Sequence, residues 1–147
     1  MAEETPYLKI IDYIFYNESL IRELVEEVKL KSARSEIHNA SNLSDPTAAV
    51  AIKNLTPVTA IILDKRVLKF PEHWLEVVDL TKKWCRQRGE IFYQILRRRY
   101  TDEETEKICA DLSISTDFYY RTLGKIRTRA ALIASWYHLI CVMPNSR

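Results

Sequence analysis

The chain has 147 residues, enough for one domain with a real core or for a small domain carrying a helical extension. Two glycines are few for strands joined by tight turns, and no hairpin signal accompanies the apolar runs, so an all-α protein is expected. A net charge of +2 is nearly neutral, so bulk electrostatics does not announce a nucleic-acid binder and the distribution of charge is what matters.

Basic side chains gather between Lys65 and Tyr100, among them Lys82, Lys83, Arg86, Arg88, Arg97, Arg98 and Arg99, whereas residues 1–64 lean acidic. Cys85, Cys109 and Cys141 are widely spaced, with no CxxC pair and no histidine at ligand spacing, which supports neither a disulfide framework nor a metal site and predicts buried thiols. The opening MAEETPYLK lacks the charged start and apolar run of a signal peptide, and the longest apolar run, 130–143, is broken by Ser135 and His138 and too short to span a bilayer. A cytoplasmic protein without membrane contact or cofactor is expected.

In chain order, Tyr7, Ile10, Ile11 and Ile14 predict one helix face. After Asn17, Leu20 or Ile21, Leu24, Val25 and Val28 predict a second. These would form an antiparallel pair over residues 1–43, and Tyr13, Phe15 and Tyr16 are more aromatic surface than one stripe needs, suited to docking on the C-terminal part or on a second subunit. His38 to Pro46 is small, polar and rich in turn formers, a linker that separates this N-terminal pair from a second part over 44–147. Asp45-Pro46, Thr56-Pro57 and Phe70-Pro71 then read as helix starts, predicting helices over 46–54, 57–69 and 71–88. In the last of these Trp74, Val78, Thr81 and Cys85 share a face, and Gly89 suits a stop. A short helix over 90–99 buries Phe92, Ile95 and Leu96 and ends on Arg97, Arg98 and Arg99, which meet the negative end of the helix dipole and are also phosphate candidates.

Residues 101–129 predict two helices and a tight turn. Thr101 with Glu104 has capping-box spacing, Ile108, Cys109 and Leu112 give the first helix its apolar face, Ser113-Ile114-Ser115 makes the turn, and Ser115 caps the second helix. Tyr119, Leu123 and Ile126 supply the buried stripe of that helix, leaving Thr116, Asp117, Tyr120, Arg121, Gly124 and Lys125 outward near its start. A helix that enters a DNA major groove needs such a set. The apolar pattern continues through Ala130, Leu132, Ile133 and Trp136, so the helix is expected to run on into a buried tail.

From Ser44 onward the sequence resembles the RinA and ArpU group of phage transcriptional regulators, whose C-terminal part is similar to region four of bacterial sigma factors. The residues that carry the resemblance are Ser44-Asp45-Pro46-Thr47-Ala48, then Lys107 to Ser115, Tyr120-Arg121, Lys125-Ile126 and Ala130; Ser113 stands where such motifs commonly have glycine. The resemblance implies a DNA-binding activator of late phage genes, such as packaging, structural or lysis operons, that touches host RNA polymerase. Its DNA-facing positions fall on Ser115, Thr116, Asp117, Tyr120, Arg121 and Lys125. The chemistry of these residues agrees: Arg121 suits guanine, Asp117 a cytosine amine, and Ser115 with Thr116 sits where helix N-terminal donors meet phosphate. Arg127 and Arg129 join Lys125 as phosphate candidates. Two other functions stay open: a DNA-packaging adaptor resembling a small terminase subunit, in which helical segments would make homo-oligomer contacts, and a helical protein-interaction module, in which the outward set would contact protein and with which the acidic run at 102–106 is compatible. No carboxylate pair in an apolar setting, glycine-rich phosphate loop or nucleophile motif supports an enzyme.

Overall fold

The computed structural model describes residues 6–39 and 57–141, with the side chains of 34–39 outside that description. Among these residues it forms α1 (Pro6–Tyr16), α2 (Glu18–Asn39), β1 (Ala60–Leu63), β2 (Arg66–Lys69), α3 (Pro71–Arg88), α4 (Glu90–Arg99), α5 (Thr105–Leu112) and α6 (Thr116–Trp136). The protein is therefore mostly helical with one small sheet. The chain divides into two compact units, one of Glu18–Leu75 and one that joins Met1–Asn17 to Glu76–Arg147. The expected boundary at residue 43 and the helix expected over 46–54 lie outside the described residues. Within them, α1 groups with the C-terminal helices and α2 does not.

In the unit of Glu18–Leu75, α2 buries Ile21, Val25 and Ala33 and packs against β1. The helix expected over 57–69 is instead an antiparallel hairpin, with Ile61 opposite Leu68 and Ile62 opposite Val67. Alternation decides the matter: Ile61 and Leu63 are buried while Ile62 and Val67 face outward, the period of two that a half-buried strand requires. The turn residues Asp64 and Lys65 take positive φ of 51° and 64°, the left-handed pair that a two-residue hairpin needs. No glycine marks that turn, and without one its signal was absent from the sequence. Pro71 starts α3 as expected. Glu72, in the first turn, accepts from the Val58 amide at 2.8 Å and pairs with the Lys29 ammonium at 2.6 Å. Burial pushes this carboxyl up, but the Lys29 and Val58 hydrogen bonds and the charges of Lys29 and His73 outweigh it, leaving its pKa below the usual value.

The other unit is built around α6, which at 21 residues spans roughly 30 Å. It buries Tyr119, Leu123, Ile126, Ala130, Ala131, Ile133 and Ala134, and packs against α1, α4 and α5. Three alanines on its second half let neighbouring backbones approach closely. α1 contributes Ile11, Ile14 and Phe15 to this core and α4 contributes Ile95 and Leu96. The surplus aromatics of α1 dock on the C-terminal part: Phe15 stacks on Tyr100 at 5.2 Å between ring centroids, and Tyr16 meets the same ring edge-on at 4.9 Å. Asp12 sits beside them and accepts from Tyr100 Oη at 2.6 Å and from Arg127 at 2.7 Å. Burial first, and then the Asp12 carboxylate, raise the Tyr100 pKa, so the phenol stays a donor. Cys85 and Cys109 are buried as expected, the Cys85 thiol being pushed up to about 12 by burial, but Cys141 is exposed. Among the described residues no helix is long and apolar enough to cross a membrane.

Candidate nucleic-acid interface

The helix expected from Thr101 starts four positions later, at Thr105. The reason is local. Thr101 Oγ1 donates to the Arg98 carbonyl at 2.7 Å and so closes the end of α4, while Glu104, its expected partner, is itself the N-cap residue of α5 and makes no side-chain cap hydrogen bond, so the capping box does not form. Arg98 is bidentate to Glu103 and also reaches Asp111 at 2.7 Å, tying the end of α4 to the connecting loop and to α5. The Arg98 hydrogen bonds hold the Glu103 carboxyl down at about 2.

Between α5 and α6 the turn has three residues. Ser113 adopts the left-handed conformation, φ 57° and ψ 46°, and its N–H returns to the carbonyls of Ala110 and Cys109. Glycine is the residue of least cost there, and serine tolerates it because the backbone donors of the turn are satisfied: Ile114 N–H also reaches the Cys109 carbonyl, at 3.0 Å. Ser115 caps α6, its hydroxyl accepting from the Phe118 amide at 3.0 Å. This hydroxyl therefore serves the fold.

Past that cap the two faces of α6 differ completely. Tyr119, Leu123 and Ile126 are buried, at 0%, 3% and 1% exposure, whereas Thr116, Asp117, Tyr120, Arg121, Gly124 and Lys125 are all exposed. Tyr120 leans edge-on against the Tyr119 ring at 5.1 Å, which orients it. Arg121 pairs with Asp117 at 3.2 Å, both side chains mostly in solvent; such a helical pair is worth only about 0.2–0.5 kcal/mol and yields readily to a better partner.

The five arginines expected at phosphate fare differently. Arg97 is exposed and touches Gln94 at 3.2 Å, so it remains available. Arg98 is committed to two carboxylates and Arg127 to Asp12, each with a side chain only 14% exposed; both brace the fold. Arg99 lies over the Tyr100 ring at 5.8 Å, with its Nε buried. Arg129 rests between two indoles, Trp84 at 5.6 Å and Trp136 at 5.4 Å.

That last contact opens a feature that sequence reasoning missed. An open groove of about 600 Å³ runs between α3 and α6, lined by Trp84 and Arg88 from the first and by Arg121, Lys125, Thr128 and Arg129 from the second. The spacing of the α6 residues, one turn apart along a single face, was visible in the sequence. Their meeting with the end of α3 was not, because nothing in either segment says which helix faces which. The chain matches no family model, no curated protein and no solved structure.

Proposed function

We propose that this chain is a sequence-specific, double-stranded DNA-binding transcriptional regulator in which α5, the three-residue turn and α6 work as a helix-turn-helix. One observation carries the reading: the first turns of α6 have a buried inner face and an outer face that, apart from Phe118 at 37% exposure, consists of hydrogen-bonding, charged and small residues. A solvated helix surface has no need for a cap-anchored, outward cluster of Thr116, Asp117, Tyr120, Arg121 and Lys125, whereas a major groove does. The likeness to phage late-gene regulators extends the proposal to activation through host RNA polymerase in the bacterial cytoplasm, with no catalytic step. Arg98 pairs with both Glu103 and Asp111, and its single positive charge offsets part of theirs, which lowers the repulsion that a phosphate backbone would meet.

The test is a fluorescence-anisotropy titration of the full chain against random duplexes and duplexes enriched by selection, over a series of salt concentrations. Arg121→Ala should cost about 1–3 kcal/mol on the enriched site and relax the preference at one base position. A folded protein that binds no duplex at low salt would overturn the reading.

A further inference from the structure

We infer that the groove between α3 and α6 is a seat for the sugar-phosphate backbone of duplex DNA, with Arg88 a phosphate contact supplied from outside the helix-turn-helix and Trp84 a residue that positions it. The inference rests on the DNA-binding reading and extends its surface to a helix which that reading does not use.

The groove is cationic. Arg88, Arg121, Lys125 and Arg129 all line one groove, and among the described residues no carboxylate pairs with Arg88, Lys125 or Arg129. Like charges gathered without counterions raise the local potential and cost stability unless an anion arrives.

Its guanidinium groups are also preorganised. Arg88 lies over Trp84 at 5.4 Å and over Phe92 at 5.5 Å, and Arg129 lies over the same indole at 5.6 Å. A π face restrains a guanidinium without neutralising it and without consuming the in-plane N–H donors, unlike the carboxylates that occupy Arg98 and Arg127. The two planar forks are thus held in place with donors left to offer, which suits phosphate oxygens. The indole, covered by these guanidinium groups, is not presented as a platform for an unpaired base.

Gly124 points the same way. It lies inside α6 between Arg121 and Lys125 and lines the groove, yet a β-carbon built there meets nothing within 4 Å. Packing within the protein does not require a glycine, and an interior helical glycine is destabilising. Close approach of an outside backbone to the helix accounts for it. The groove is also continuous with the reading face, since Arg121 and Lys125 belong to both.

Anisotropy titrations with fluorescein-labelled random and enriched duplexes, over a salt series, test this in the full chain. Arg88→Gln should weaken binding to both duplexes by the same factor and reduce the slope of log affinity against log salt by about 0.9, the value of one phosphate, with base preference unchanged. Thr128→Glu places a carboxylate in the groove at an exposed helical position that accepts glutamate well, and should lower affinity for both duplexes at least as much. Lys83→Gln, an exposed cation of α3 outside the groove, is the charge control and should leave the slope in place. If the wild type binds duplex while Arg88→Gln and Thr128→Glu match it in slope and affinity, the groove is not the seat and the DNA reading stands without it. An equal loss in Lys83→Gln would likewise overturn the proposal, reducing the effect to net charge. Failure of the wild type to bind any duplex would overturn the DNA reading itself, and the groove's occupant with it.

Discussion

Among single residues, the arginines show how little an amino-acid type says about its task. Arg97, Arg98 and Arg99 are consecutive, yet one is solvated, one is locked between two carboxylates and one lies on an aromatic ring. The locked one leaves a signature in acid. Glu103 has its pKa lowered to about 2 by Arg98 hydrogen bonds, from an ordinary value of 4.5. A carboxylate that binds its proton less readily in the folded state than in the unfolded one stabilises the fold above its unfolded pKa, and that contribution is lost as pH falls from 4.5 through about 2. Glu103→Gln should therefore be less stable than the wild type near neutral pH, and the difference should shrink as acid is added through that window. Urea unfolding midpoints at neutral pH, pH 4 and pH 3 check this; a difference constant with pH would remove the ion pair from the account.

At the scale of elements, α6 performs two tasks in sequence along one axis. Its first turns carry the outward polar set, and in its second half one face, Ala130, Ala131, Ile133 and Ala134, is core, while Leu132 and Trp136, expected to be part of a buried tail, are exposed. Gly124 sits at the junction with no neighbour to crowd it. Gly124→Ala should stabilise the protein by about 0.5–1 kcal/mol through reduced backbone entropy in the unfolded chain, a rise in thermal midpoint of roughly 2–4 °C. Circular dichroism melts decide, and a lower midpoint would mean that the helix is strained at this point. The hairpin teaches the opposite lesson about glycine: Asp64 and Lys65 occupy left-handed positions that glycine would fill more easily, held there by the burial of Ile61 and Leu63 on one side of the strands.

For the whole molecule, the unit that carries the candidate interface is discontinuous in sequence. α1 reaches across nearly the whole chain to supply Ile11, Ile14 and Phe15, and Asp12 supplies the carboxylate that Arg127 and Tyr100 share. Each of those apolar side chains contributes about 1.5–3 kcal/mol on burial, so together they rival the net stability of an ordinary domain. Removing residues 1–17 also strips Arg127, only 14% exposed, of its carboxylate. The truncated protein should lack a cooperative thermal transition, or melt far below the full chain, and should lose DNA binding with it. A truncated protein that melts within a few degrees of the full chain would show that the core of α6 closes without α1.

The sequence by itself determined the local events: the caps and stops at Ser115, Pro71 and Gly89, the turn after Leu112, and the division of α6 into an outward and a buried face. Each depends on a residue's own hydrogen-bonding groups or on neighbours within one helical turn, which spacing reveals. The hairpin escaped this kind of reading because its strands are short and its turn lacks glycine, so strand pairing and burial, both tertiary, chose the conformation. Tertiary structure alone also decided which arginines are braces and which stay open, and it alone brought Arg88 and Trp84 to the flank of α6. An ion pair such as Asp12 with Arg127 joins residues more than a hundred positions apart. Local spacing holds no trace of such a pair, because packing sets its distance.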